Sequence, residues 1–316
     1  MTSREELPRF VEPMLARSSS PPHGDCWALE VKFDGMRLQL RRDGRAVCAR
    51  SRPGRDCTEE FPELAGIAAA LGRHRVLLDG ELVCLGIDGK PDFARLRRRL
   101  RAPGQTARLH AERTPATFLA FDLLHLDGRS TRGLPYHRRR ELLDQLTLEG
   151  RAWATPRHFV GDTDRLIAAT SELGLEGVVA KRLDSPYLPG LRSGAWLKHK
   201  HRRTESFLVS GWLPAERRRP DESLLLLCHA ANGTLEPAGS VPLALPNGQS
   251  EAARGDLERL VLPPARPRQR IRRLAPELVA TVAFHGPPRG PVRDPILRAI
   301  KPVDHHAKTW SALPSP

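Results

Sequence analysis

The stretch Glu30-Val31-Lys32-Phe33-Asp34-Gly35-Met36-Arg37 constrains this chain more than any other. It reads as the end of a strand running into a tight turn at Asp34-Gly35, which leaves Lys32 and Arg37 to converge on whatever lies above the turn. Of the 51 Lys plus Arg residues only seven are lysine, at positions 32, 90, 181, 198, 200, 301 and 308. A plain need for positive charge is met by arginine in this chain. A retained lysine therefore points to a task guanidinium cannot perform, such as giving up a proton and attacking as a free amine. The alternative is an Arg-rich coding bias that spared a few surface lysines.

Periodicity supplies a coarse map around this segment. Residues 1–26 form an irregular lead-in containing Pro13-Met14-Leu15-Ala16 and the breaker Ser18-Ser19-Ser20-Pro21-Pro22. From Trp27 the pattern is strand-like, and Asp43-Gly44 predicts a hairpin turn before Val47-Cys48-Ala49 returns. A helix is expected over 59–71, closed by Gly72, then a strand over 76–83 and a basic helix over 92–101. A strand over 117–126, helices over 137–146 and 162–173 and a strand over 176–181 follow, and after Pro186, Pro189 and Gly190 comes Trp196-Leu197-Lys198-His199-Lys200. Near residue 203 the texture changes. Short apolar strands (207–212, 224–228, 278–284) follow, with turn signals such as Asn232-Gly233 and Pro- and Arg-rich connections. That pattern suggests a small closed sheet, of which an OB-type barrel is one form. The expected domains are 1–203 and 204–316, with a poorly ordered tail from Lys301.

Length and charge bound the partners. A chain of 316 residues favours two domains over one, and 40% apolar residues suffice for real cores. The net charge of +14 points to a polyanion, nucleic acid rather than membrane, because no amphipathic basic helix stands out. The alternative is a solvated basic surface. Cys26, Cys48, Cys57, Cys84 and Cys228 are scattered, without a C-x-x-C pair or zinc spacing, as in a reducing cytosol. The N-terminus lacks the apolar core of a signal peptide, and no apolar run approaches membrane-spanning length, so a soluble, cytoplasmic protein is expected.

Taken singly, an Asp-Gly turn or a Glu on a strand says little. Taken in order, the set is specific: Lys32-x-Asp34-Gly35-x-Arg37, Ser51-Arg52-x-Gly54, Asp79-Gly80-Glu81, Phe121-Asp122, Glu176-Gly177-Val178-Val179-Ala180-Lys181 and Lys198-x-Lys200. It resembles the motif set of the covalent nucleotidyltransferases, which comprise ATP-dependent DNA ligases, RNA ligases and mRNA capping enzymes. Pro13-Met14-Leu15-Ala16 before Trp27-x-x-Glu30-x-Lys32 looks like the ligase branch. So does Ser185-x-Tyr187-x-Pro189-Gly190-x-Arg192-Ser193-x-x-Trp196-x-Lys198-x-Lys200, and both are most similar to the ligase module of bacterial end-joining ligase D and its stand-alone relatives.

The resemblance implies an α+β fold: an adenylating domain of antiparallel sheets flanked by helices, followed by an OB-type barrel, with no zinc module and no further N-terminal DNA-encircling domain. It implies an ATP-dependent DNA ligase that seals nicks in repair or end joining through a lysyl-AMP on Lys32. Lys198 and Lys200 would meet the α-phosphate, with Arg192 nearby. Arg37 and Glu81 would hold the ribose hydroxyls, Phe121 would stack on adenine, Glu30 would lie by the adenine edge, and Arg52 would meet the 5′-phosphate. Glu176, with Glu81, would bind Mg²⁺ or Mn²⁺, since oxygen ligands and phosphate suit hard cations. Lys181 would contact phosphate or pair with a carboxylate at a strand end. Cations such as Lys198 and Lys200 would help the nucleophile lose its proton.

Nicked or broken duplex DNA is the implied substrate, with a Ku-like or polymerase repair partner, and a monomer is expected. The basic helix over 92–101 is a candidate for tracking the DNA backbone, the alternative being a solvated basic face. The chain departs from its relatives at the last motif, where Arg293-Asp294-Pro295 through Arg298-Ala299-Ile300-Lys301-Pro302-Val303-Asp304 only partly matches. Self-adenylation is the step this departure touches. The other readings are an RNA ligase or capping-type enzyme, and a non-catalytic nick- or end-binding module.

Overall fold

The structure is a computed structural model that describes residues 5–102, 104–216, 221–229, 233–245, 248–264, 270–285 and 292–303. The chain divides into two units, Met1–Lys200 and His201–Pro316. The first unit opens with β1 (Leu15–Ser18), β2 (Trp27–Lys32), β3 (Met36–Asp43) and β4 (Ala46–Ser51). Next come α1 (Ile67–Ala70), β5 (Val76–Cys84), α2 (Phe93–Arg99) and α3 (Gly104–Arg113). Then follow β6 (Ala116–Leu126), β7 (Arg129–Ser130), α4 (Tyr136–Gln145) and β8 (Trp153–Ala154). The unit closes with β9 (His158–Val160), α5 (Thr163–Glu172), β10 (Gly177–Arg182) and β11 (Arg192–Lys200).

These strands form two sheets. One runs β1-β11-β10-β2-β9, and the other β4-β3-β5-β6-β7 with β8 paired to β6. The sheets are mixed, which corrects the expectation of antiparallel sheets. β1 pairs β11 in parallel, and so does β8 with β6. The reason is connectivity: β1 and β11 stand at opposite ends of the unit's sequence, so no hairpin dictates their relative direction. The helix expected over 59–71 is broken into the 3₁₀ turns Thr58–Glu60 and Pro62–Gly66 and the short α1. Pro62 lacks the N–H needed to continue a helix begun at Thr58. Asp92 caps α2 by accepting the Arg95 amide at 3.1 Å. The helix α3, just after it, carries no strong periodic signal and was not expected from the sequence.

Apolar residues of the second sheet, among them Leu38, Leu40, Leu78, Leu82 and Phe118, are fully buried in the main core. A smaller cluster holds Leu7, Val11, Met14, Leu77, Leu124, Tyr187 and Trp196. A third, with Leu29, Val178 and Ala180, receives Leu166 and Ile167 of α5.

The second unit contains β12 (Arg203–Leu213), β13 (Ser223–His229), β14 (Leu235–Pro242), α6 (Gln249–Arg259), β15 (Arg272–Arg273), β16 (Leu278–His285) and β17 (Arg293–Pro302). Its sheet runs β14-β13-β12-β16-β17, with β15 on β12. Phe207, Val209, Trp212, Leu224, Leu226, Val282 and Phe284 are buried in its core. Its described strands make an open path, not a closed barrel. One backbone hydrogen bond, from Val292 N–H to the Ala238 carbonyl at 2.8 Å, links the β14 end to the residue before β17. The tail does not begin at Lys301: Lys301 and Pro302 pair with Val279 and Leu278, and Val303 is buried. Asn232 of the expected turn, and residues 304–316 with Asp304 and Lys308, lie outside the described residues.

Candidate active site

Alternation along β2, β10 and β11 sorts their side chains onto two faces. In register, Lys32 faces Gly177 and Gly177 faces Lys200; Glu30 faces Val179, which faces Lys198; Ala28 faces Lys181, which faces Trp196. Residues directly opposite share a face, so Glu30, Lys32, Lys181, Trp196, Lys198 and Lys200 all project from the same side. The intervening Leu29, Val178 and Ala180 pack under α5. Gly177 keeps this face open. At φ +151°, a Cβ there would lie 2.0 Å from the His199 carbonyl oxygen.

The second sheet supplies the opposing groups. Arg37 pairs with Glu81 and Gln39 with Asp79, on the face away from Leu38, Leu40, Leu78 and Leu82. The turn after Lys32 carries the chain from β2 in one sheet to β3 in the other. Gly35 lets it pass against β5, since a Cβ at this position would meet the Leu82 carbonyl oxygen at 2.3 Å. On β6, Asp79 pairs with Asp122 and Gly80 with Ala120, so Phe121 is the extra residue of a β-bulge. A bulge re-aims its side chain, and this one puts the Phe121 ring on the cavity wall.

The cavity between these groups has a volume of about 410 Å³. Lys32, Glu30, Arg37, Glu81 and Phe121 line it, and so do Arg52, Lys181, Arg192 and Lys198. Glu176 and Lys200 complete a cluster with Lys32. Glu176 Oε2 lies 2.6 Å from Lys32 Nζ, and its Oε1 lies 3.2 Å from Lys200 Nζ. Lys198 has its pKa lowered, by burial first and then by Lys200, Lys32 and Arg192.

Arg37 is held by its neighbour. Its Nε and Nη2 each donate to the buried Asp79 carboxylate at 2.6 Å, and its guanidinium carbon sits 4.6 Å from the Phe121 ring centre. Burial disfavours the charge, but Asp79 more than offsets this and raises the Arg37 pKa. Tyr187 O–H also donates to Asp79, at 2.6 Å, and its oxygen accepts the Met14 amide. Glu81 titrates at about 7: burial pushes it up, Glu176 and Asp79 act in the same direction, and Lys32 and Arg37 oppose them.

Glu30 and Lys181 are engaged with each other. Lys181 Nζ lies 2.9 Å from Glu30 Oε2 and donates to the Phe121 carbonyl at 3.1 Å. Of the two sequence readings of Lys181, these contacts match the pairing with a carboxylate. Burial lowers the Lys181 pKa and Glu30 opposes the shift. Glu30 also accepts the Tyr136 hydroxyl. Arg192 is exposed and donates to the Ala16 carbonyl at 2.6 Å. Arg52 is exposed and has no hydrogen-bond or ion-pair partner among the described residues.

Sequence reasoning passed over Asp79, Tyr136, Tyr187 and Trp196 as working parts of the site. Asp79 was within reach, because it stands two residues before Glu81 on one strand and so shares its face. Tyr136 offered no signal, lying 106 residues from Glu30 on a helix outside every motif. The donor set also bears on a divalent metal. Among the described residues no group of three His, Cys, Asp or Glu could hold one alone. Glu176 and Glu81 offer hard carboxylate oxygens, and Mg²⁺ is commonly held by one or two carboxylates plus substrate phosphates. The residues fit a metal shared with a nucleotide, which would have to displace Lys32 and Lys200 from the Glu176 oxygens.

A family model described as the ATP dependent DNA ligase domain matches residues 13–200. The chain is 37% identical over 290 residues to the multifunctional non-homologous end joining DNA repair protein LigD of Mycobacterium tuberculosis, covering 87% of this chain and 36% of that protein. It is 34% identical over 240 residues to DNA ligase C1 of Mycolicibacterium smegmatis, covering 72% of this chain and 67% of that one. The chain thus spans 36% of the length of the Mycobacterium bovis and M. tuberculosis LigD relatives it matches. The crystal structure of the ligase domain from M. tuberculosis LigD superposes with a TM-score of 0.57 at 35% identity, covering 92% of this chain and 95% of that one. A mycobacterial DNA ligase D complexed with ATP and MES gives the same values, a TM-score of 0.57 at 35% identity over 92% and 95% of the two chains.

Proposed function

The chain belongs to the ATP-dependent DNA ligases, and on that basis we propose that it seals 3′-hydroxyl/5′-phosphate nicks in duplex DNA through an adenylate carried on Lys32. The observation that carries the reading is the Lys32 amine on the cavity wall, with Glu176, Lys198 and Lys200 beside it and Glu81, Arg37 and Phe121 on the facing sheet. The Lys32 nitrogen, once free of its proton, bonds to the α-phosphorus of ATP as the α–β bridging bond breaks and pyrophosphate leaves. The P–N bond then breaks as the 5′-phosphate of the nick takes AMP. The 3′-hydroxyl finally attacks that phosphate, and AMP departs.

In-line displacement at phosphorus needs positioning and charge neutralisation more than covalent help. Lys198 and Lys200 would supply that charge at the α-phosphate. Arg52, exposed and unpartnered among the described residues, would meet the 5′-phosphate, with Arg192 close by. Glu81 and the Nη1 of Arg37 would take the ribose hydroxyls, and Phe121 the adenine ring. A divalent metal on Glu176 and Glu81 would add charge neutralisation at the phosphate oxygens.

Residues 1–203 would form the adenylating domain and 204–316 an OB-type barrel, a reading supported by the hydrogen bond between Val292 and Ala238. The LigD names of its relatives support DNA end joining as the setting; a Ku-like or polymerase partner and an intracellular monomer are proposed with it. No described helix is long and apolar enough to cross a membrane. Labelling with α-phosphate-labelled ATP against GTP, followed by sealing of nicked DNA against nicked RNA, tests the assignment. ATP and DNA should be preferred, and a preference for GTP or RNA would contradict it.

A further inference from the structure

We propose that Tyr136 is a positioning residue for base selection: it holds Glu30 so that the carboxylate offers the cavity an acceptor for a purine 6-amino group. This rests on the nucleotide reading above. Tyr136 is the first residue of α4 and is fully buried, and its hydroxyl donates to Glu30 Oε1. Lys181 holds the other oxygen, Oε2, at 2.9 Å.

Neither donor is free to swing away. The Lys181 ammonium lies 4.3 Å from the Phe121 ring centre, 4.5 Å from Trp196 and 5.0 Å from Tyr136, an aromatic enclosure that favours a cation. His158 backs the Tyr136 ring edge-on at 6.4 Å. With both donors turned onto the carboxylate, what Glu30 presents to the cavity is lone pairs. An amino group at the purine 6-position can donate to them, whereas a keto oxygen there would set acceptor against acceptor.

Loss of the Tyr136 hydroxyl would free Oε1. Arg140 waits for it: its Nη1 is buried, has no hydrogen-bond partner among the described residues, and lies 4.0 Å from that oxygen. The carboxylate would then turn towards Arg140 and away from the base.

The test compares lysyl-adenylate formation from ATP, GTP and purine riboside triphosphate, which lacks the 6-amino group, in the wild type and in Tyr136→Phe. The variant should lose about tenfold of the ATP preference over purine riboside triphosphate, through the apparent KM for ATP and not the rate at saturation. An unchanged ratio, or an equal loss with both nucleotides, would overturn the proposal, because a purely structural role predicts equal loss. If Tyr136→Phe does not fold, Glu30→Gln, which brings a donor to the same place, should collapse the ratio, and an unchanged ratio there overturns the proposal too. A wild type that forms no adenylate from ATP would instead sink the nucleotide reading.

Discussion

Lys32 and Lys200 share the carboxylate of Glu176, one oxygen each, at 2.6 and 3.2 Å. Glu176 sits one residue before Gly177, whose register partners on either side are these same two lysines. The carboxylate thus holds the Lys32 amine in place between the neighbouring strands. Glu176→Gln keeps the shape and removes the charge. It should slow lysyl-adenylate formation on the order of 10²-fold while leaving the far-UV spectrum unchanged, as single-turnover labelling would measure.

Asp79 is fully buried and grips Arg37 with both oxygens. Asp79→Asn leaves the guanidinium without its counter-charge, and breaking a buried pair from one side costs roughly 3–5 kcal/mol. Thermal melting should fall by roughly 6–20 °C, given about 2–4 °C per kcal/mol for a domain of this size. A melting temperature equal to that of the wild type would show that the pair bears no load.

Glu81 provides a pH test. Its folded pKa of about 7 lies above the ordinary value of 4.5. The folded state therefore binds this proton more tightly than the unfolded state does. Its contribution to stability is present in full below about pH 4.5 and is lost as pH rises through about 7. Glu81→Gln removes that dependence, so its melting temperature should gain on the wild type between pH 5 and 8. A constant difference across that range would contradict the assignment.

The basic helix α2 divides its arginines between two jobs. Arg99 is buried, pairs with Glu63 and donates to the Thr114 carbonyl, whereas Arg97 and Arg98 are exposed. Arg99→Ala should destabilise the fold. Arg97→Ala with Arg98→Ala should leave melting within about 0.5 kcal/mol of the wild type. The double variant should weaken nicked-DNA binding and reduce the slope of log affinity against log salt by about one to two. Fluorescence anisotropy across a salt series measures both, and an unchanged slope would assign the helix to a solvated face.

Arg52 separates the chemical steps. Arg52→Ala should still form the lysyl-adenylate but lose at least about tenfold in sealing a nick, as expected when a charged contact to phosphate is removed. Equal loss in both steps, read by labelling and by a sealing assay on the same protein, would place Arg52 at the nucleotide instead.

Much of the site was legible because it lies on strands. A period of two puts Glu30 with Lys32 on one face, and Lys198 with Lys200 on one face, without any knowledge of the fold. That the two pairs share a face, and that Gly35 and Gly177 are close backbone approaches, emerges only in the structure. What was illegible depends on tertiary contact. The bulge at Phe121 is a register event between β5 and β6. The hold of Tyr136 on Glu30 crosses from a helix to a strand, and the engagement of Lys181 with Glu30 depends on the aromatic rings around it. Pro62 could have been read as a break in the helix expected over 59–71. The parallel pairing of β1 with β11 could not, because nothing local sets it.

The most direct test is peptide mass spectrometry of the protein after incubation with ATP and a divalent metal. One AMP should be found on the peptide that contains Lys32, attached to that lysine, and it should be absent from Lys32→Arg. An adduct on another residue, or one that survives the Lys32→Arg substitution, would contradict the account.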